Sequence, residues 1–178
     1  MMIDPLLPLV ISSSLALLFF MAARHKLSDN RRFEAQLAAY QIVPVPVLRV
    51  SARTLPWIEM SLVFLLLIPF TRAFAASIAA TLLIMYALAM AVNIRRGRSE
   101  IDCGCGDKPQ TLSVMLLVRN AVLAVCSLLL VVPVIERSIM TSDLVFVGLF
   151  TVILAMAYLM VELLVRNHSL LKNFGLSK

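Results

Sequence analysis

The residues best suited to chemistry in this chain are Cys103-Gly104-Cys105-Gly106. Two thiols separated by one glycine can close a very small ring, because glycine tolerates the backbone angles that such closure needs. A disulfide of that kind is strained, so it is suited to repeated reduction and re-formation rather than to holding a fold together. Arg95, Arg96, Arg98 and Lys108 favour thiolate over thiol, while Asp102 and Asp107 oppose it. The rival chemistry is soft-metal binding, since a Cys-x-Cys pair can ligate zinc or copper(I). A closed zinc site needs four ligands. Only Cys126, His25 and His168 are obvious additions to the pair. Cys126 sits within an apolar helix and is expected to pack there, and the two histidines are expected among lipid headgroups.

A second group of residues is chemically conspicuous because its members stand in otherwise apolar runs. These are Glu59, Asn93, Arg119, Asn120 and Glu162. Charges within membrane helices are costly and are usually paired or functional. Tracing each helix in turn puts all five toward the face that carries Cys103 and Cys105, about 6–9 Å inside their helix ends at the usual helical rise. Glu59 and Arg119 form the candidate ion pair. The simpler alternative is that Arg119 reaches to lipid headgroups and that Glu162 marks a helix end.

These residues need a scaffold, and the composition says which kind. Of the 178 residues, 61% are hydrophobic, and the mean hydropathy is +0.96. That balance fits a chain whose solvent is largely lipid and excludes an ordinary soluble domain. The apolar runs predict an all-helical, polytopic membrane bundle forming one integral domain over residues 1–178, with spans at 6–23, 56–70, 73–94, 113–135 and 144–165. The first run has neither a basic leader nor a small-residue cleavage site and reads as a retained helix. Residues 29–48 predict a short interfacial helix ended by Pro44-Val45-Pro46. Residues 95–112 form the loop that carries the cysteines. With three cysteines in all, a structural disulfide framework is excluded.

The formal charge of +6 is not accompanied by a basic helix or an aromatic platform, so no nucleic-acid partner is expected. Its distribution suits a membrane protein instead. With five crossings, the first and third connections and the C-terminus share a side, which holds Arg24, Lys26, Arg31, Arg32, Arg49, Arg53, Arg95, Arg96, Arg98, Lys108, Arg166, Lys172 and Lys178. The other side has Arg72 and Arg137. The positive-inside rule then predicts a bacterial inner-membrane protein with its N-terminus outside and its C-terminus and cysteine loop cytoplasmic.

In order along the chain, Lys26, the region of Tyr40, Pro56 with Glu59, Asn93 followed by Arg95 and Gly97, Asp102 through Gly106, and Arg119-Asn120 resemble the methylamine-utilisation E proteins, the MauE family, which is related to DoxX-type membrane bundles. The resemblance runs from the first helix to the fourth. It departs where the family often has Phe between the second cysteine and the glycine; here Gly106 follows Cys105 directly. The family implies a four-helix core, with the fifth span as an addition. It also implies thiol–disulfide exchange with a thioredoxin-like protein, in maturation of disulfide-containing substrates such as the small subunit of methylamine dehydrogenase. On this reading Cys103 and Cys105 exchange electrons, Glu59 assists proton movement, and Arg119 holds a thiolate or a carboxylate. If the loop opens to the cytosol, electrons pass from a cytosolic thioredoxin across the bundle to an extracytoplasmic acceptor; if it faces outward, direct exchange or oxidation linked to a quinone cofactor is more natural. A metal-binding or metal-transporting protein and a non-catalytic assembly factor are the competing classes.

Overall fold

In the computed structural model, residues 3–98, 112–135 and 137–173 are described here; the side chains of 165, 166 and 168–173 are not. Six α-helices account for most of them: α1 (Leu6–Ser28), α2 (Asn30–Ala39), α3 (Val45–Leu67), α4 (Arg72–Arg95), α5 (Val114–Leu129) and α6 (Thr141–Asn173). Stretches within α1, α3, α4 and α6 are long and apolar enough to cross a membrane, and α5 is a shorter apolar helix. The chain is a polytopic helical membrane protein.

The second span begins at Val45 rather than at Pro56. Pro46 lies in its first turn, where a missing N–H costs nothing. Pro56 is instead an interior residue and is fully buried. A proline there cannot donate to the carbonyl one turn earlier, which belongs to Ala52. The side-chain amide of Asn30 donates to that carbonyl at 3.0 Å. The short helix α2 is thereby fastened to α3 at the position where α3 has lost a bond of its own.

The helix at the fourth expected span is also shorter than the apolar run that predicts it. Helix α5 ends at Leu129, and the run to Ile135 turns back as an extended segment. Pro133 cannot continue a helix and disfavours it in the residue before. Its carbonyl accepts from Ile3 N at 3.2 Å, and Ile135 N donates to Ile3 O at 3.0 Å. This pins the chain's first described residues to the end of α5. At the same end Arg137 reaches Asp4 at 3.4 Å and Asp143 at 3.3 Å, joining the start of α6.

Helix α1 packs on α3, α4 packs on α5, and α3 bridges to α4. The core where α1, α3, α4 and α5 meet contains Phe19, Leu62, Leu66 and a run of small residues on α4: Ala75, Ala76, Ala79 and Ala80. Small side chains let helix backbones approach closely, which is how membrane helices associate without a hydrophobic driving force between them. Ser127 uses that closeness, donating from α5 to the carbonyl of Ala76 at 2.8 Å in a buried bond. Helix α6 lies mainly against α1 and leaves most of its apolar surface outward.

Candidate functional site

One face of each core helix carries a buried polar residue near the same end of the bundle. The buried stripe of α1 runs through Leu15, Phe19 and Ala23 to Lys26. On α3 the stripe passes through Pro56 to Glu59. On α4 it includes Met90 and Asn93, with Tyr86 half-buried one turn before Met90. On α5 it includes Leu116 and Asn120. A helix places residues three and four apart on one face, so each polar group replaces an apolar residue in an otherwise regular stripe.

Lys26, Glu59 and Tyr86 meet in the interior. The Lys26 ammonium is ion-paired with Glu59 Oε1, and the two side chains are 7% and 1% exposed. Tyr86 donates its hydroxyl to the same Oε1 at 2.6 Å, and Lys26 donates to the Tyr86 oxygen at 3.3 Å. The ammonium also lies 4.7 Å from the centre of the Tyr86 ring and 5.1 Å from that of Phe33. Phe33 is the buried residue of α2, so this short helix contributes an aromatic face to the cluster. Attraction between a cation and an aromatic face strengthens when both are desolvated. Glu59 Oε2 is buried and has no hydrogen-bond partner among the described residues.

The two asparagines extend this polar interior. Asn93 donates through Nδ2 to the carbonyl of Ala89 at 3.0 Å, while its Oδ1 is buried and unpartnered. Asn120 has a buried, unpartnered Nδ2. An acceptor on α4 and a donor on α5 are thus left unmatched on helices that pack together. Unsatisfied buried groups are rare in folded proteins, and each one calls for an explanation.

The ion pair expected between Glu59 and Arg119 is replaced by two others. Glu59 turns to Lys26, and Arg119 approaches Glu162 of α6 at 4.0 Å and the Tyr158 ring at 5.8 Å. Arg119 precedes the buried position Asn120 and therefore faces α6 rather than the core. Glu162 does not mark a helix end, because α6 continues to Asn173. Lys26, expected among the charges of the first connection, is in the last turn of α1 and is buried. Cys126 is a half-buried free thiol beside Ser127. His25 is half-buried near the end of α1, and the side chain of His168 lies outside the described residues.

Cys103 and Cys105 also lie outside the described residues, as do Asp102, Asp107 and Lys108. The two flanks of their segment are anchored to the bundle. On the α4 side, Gly97 takes a positive φ of 73°, and Arg98 N bonds back to Asn93 O at 3.0 Å, closing the helix with a left-handed residue as glycine readily allows. The Arg98 guanidinium donates to the side chain of Gln41, and that of Arg96 to the Gln41 carbonyl at 3.5 Å. On the α5 side, Leu112 is buried with Tyr40, Met90 and Leu116. The chain therefore leaves for the cysteines and returns from them at the end of the bundle where α2 meets α3. Among the described residues, no group of three or more His, Cys, Asp or Glu side chains gathers as a metal site would require.

Comparison with known proteins gives the same outline. Residues 4–133 match the family model described as methylamine utilisation protein MauE. The chain is 32% identical over 166 residues to the methylamine utilization protein MauE of Methylophilus methylotrophus, covering 91% of this chain and 87% of that one. It is 36% identical over 129 residues to the MauE of Paracoccus denitrificans, covering 71% and 69% of the two chains. To the MauE of Methylorubrum extorquens it is 32% identical over 126 residues, covering 70% and 68%. No solved structure matches. A family match spanning the N-terminal segment through α5, with relatives extending over most of the chain, means that the protein belongs to the MauE family.

Proposed function

We propose that this protein serves methylamine utilisation as a membrane thiol–disulfide exchange protein, acting through Cys103 and Cys105. The observation that carries the reading is the Cys-Gly-Cys pair on a segment whose flanks, Arg98 and Leu112, are both held where α2 meets the core. One thiolate attacks a disulfide of a thioredoxin-like partner, forming a mixed disulfide and releasing one partner thiolate. The second cysteine then attacks the mixed bond, releasing the other partner thiolate and leaving Cys103–Cys105 oxidised. Two electrons pass to the partner, and the reverse sequence returns them. Glu59 is the proton carrier and Arg119 an anchor for a neighbouring carboxylate. The unpartnered Oε2 supports the first role and the approach to Glu162 the second. The charge bias supports an inner-membrane location with the N-terminus outside and the cysteine segment cytoplasmic. The electrons then serve maturation of a disulfide-containing protein.

Thiol trapping of the full-length protein in membranes tests this. Cys103 and Cys105 should change together between reduced and oxidised forms, and a single serine replacement at either should accumulate or abolish a mixed disulfide. If both thiols stay reduced under every redox condition and the Cys103→Ser/Cys105→Ser protein supports growth on methylamine, the proposal fails.

A further inference from the structure

Helix α3 has a second chemically distinct face. Arg53 and Trp57 stand one turn apart on it, both exposed, with Trp57 60% accessible. They border a groove of about 640 Å³ between α3 and α4, whose walls continue through Ser61 and Leu62 to Leu65 and Ile78. A smaller hollow of about 380 Å³ opens from the same two residues toward α2, where Glu34 and Arg49 line it. Glu34 is already engaged with Arg49 at 3.7 Å. Among the described residues Arg53 has no acidic partner, and the hydroxyls beside it are committed. Thr54 Oγ1 donates to Val50 O, and Ser61 Oγ donates to Trp57 O.

Among the described residues, then, the Arg53 guanidinium stands without a counterion at the head of a groove whose far end is aliphatic. From Arg53 to Leu65 the helix rises about 18 Å, close to the ~15 Å depth of one leaflet of hydrocarbon. Tryptophan beside arginine is the composition found at headgroup level. The dimensions fit one acyl chain, and the charge asks for an anion at its head. A quinone fits the chain but leaves the charge unmet.

We propose that this groove is a binding site for an anionic phospholipid, with its phosphate on Arg53 and one acyl chain lying along α3 and α4 to Leu65 and Ile78. The site is independent of the thiol chemistry, and the smaller hollow that shares Arg53 and Trp57 with it extends toward Asn30 and Glu34 of α2. An exposed arginine near an anionic lipid is worth about 1 kcal/mol, or about a fivefold preference in binding.

Native mass spectrometry of the purified full-length protein, titrated with phosphatidylglycerol, phosphatidylcholine of the same chains and ubiquinone, tests the proposal. Phosphatidylglycerol should be retained about fivefold more than phosphatidylcholine. Arg53→Gln should remove that preference and Arg53→Lys should keep it. Arg137→Gln, at the opposite end of the bundle, should leave it unchanged. Equal retention of the two phospholipids, an undiminished preference in Arg53→Gln, or Arg53-dependent displacement of phosphatidylglycerol by ubiquinone would each overturn the assignment.

Discussion

Asn30 donates its side-chain amide to the carbonyl of Ala52, the acceptor that Pro56 leaves open one turn later. The bond is 3.0 Å long and joins the short helix α2 to a membrane helix at the fully buried Ala52. It compensates for the proline and sets α2 across the end of α3, which is how Phe33 comes to cover the Lys26 ammonium. A proline that would otherwise only weaken α3 thus becomes the attachment point for the helix that closes the polar cluster.

Asn30→Leu should destabilise the protein by about 1–3 kcal/mol, the cost of stranding a buried carbonyl. Asn30→Asp should be no better, because a carboxylate has no N–H to donate. Pro56→Ala returns an N–H to α3, so Asn30→Leu should cost clearly less in that background. Denaturant unfolding of the four proteins in detergent would measure the coupling. Equal costs in both backgrounds would show that the bond does not compensate for the proline.

Lys26 and Glu59 form a pair in which neither charge can be removed alone without stranding the other. Lys26→Met or Glu59→Gln should each cost about 3–5 kcal/mol, whereas Lys26→Met/Glu59→Met should recover much of that loss. Tyr86→Phe removes one hydrogen bond to Oε1 and should cost about 1.5–3 kcal/mol, as expected for a bond to a charged group. Unfolding measured on the single and double variants separates the stability of the pair from any role in exchange. The double variant is the informative one: if it is stable but fails to exchange electrons, the pair serves function rather than folding.

The scaffold was readable from the apolar runs, because a lipid solvent admits little else. Helix ends were harder. Proline is tolerated inside α3 because Asn30 repairs the missing bond, and a side chain from another helix leaves no mark in the local pattern. At α5 the run stayed apolar after the helix stopped at Leu129, since the extended return beside Ile3 is apolar too. The polar residues were legible by type, but not the faces that gather them, because α1 and α4 are apolar on every side and only packing decides which face is buried. Lys26, Glu59, Asn93 and Asn120 all continue buried stripes with helical spacing, and Arg119 misses its stripe by one position. Depth along the helices points to Glu59 with Arg119; the pairing of Glu59 with Lys26 follows only from the packing of α1 on α3. The partnership of Tyr86 with Glu59 needed the packing of α3 on α4, which no single helix encodes.

Arg119 and Glu162 are 18% and 24% exposed and 4.0 Å apart, so their direct attraction should be modest. Arg119→Gln and Glu162→Gln should each change stability by no more than about 1 kcal/mol, with a double-mutant coupling in the same range. This contrasts with the Lys26–Glu59 pair and checks the claim that burial, rather than charge pairing as such, makes that pair costly to break. A coupling at Arg119–Glu162 as large as that at Lys26–Glu59 would contradict it.

The contact of α4 with α5 rests on small side chains and on one buried hydrogen bond. Ser127→Ala should cost between about 0.6 and about 1.7 kcal/mol, the average and the largest value found for hydrogen bonds between membrane helices. Ala76 and Ala79 are fully buried on the same face of α4, so Ala79→Leu forces extra methylenes into a closed contact and should cost about 1–3 kcal/mol. The two effects should also be coupled, because separating the helices to admit leucine lengthens the bond from Ser127 to Ala76. Once Ala79→Leu is present, Ser127→Ala should therefore cost less than it does alone. Strict additivity in unfolding free energy would mean that the larger side chain is accommodated without moving α5.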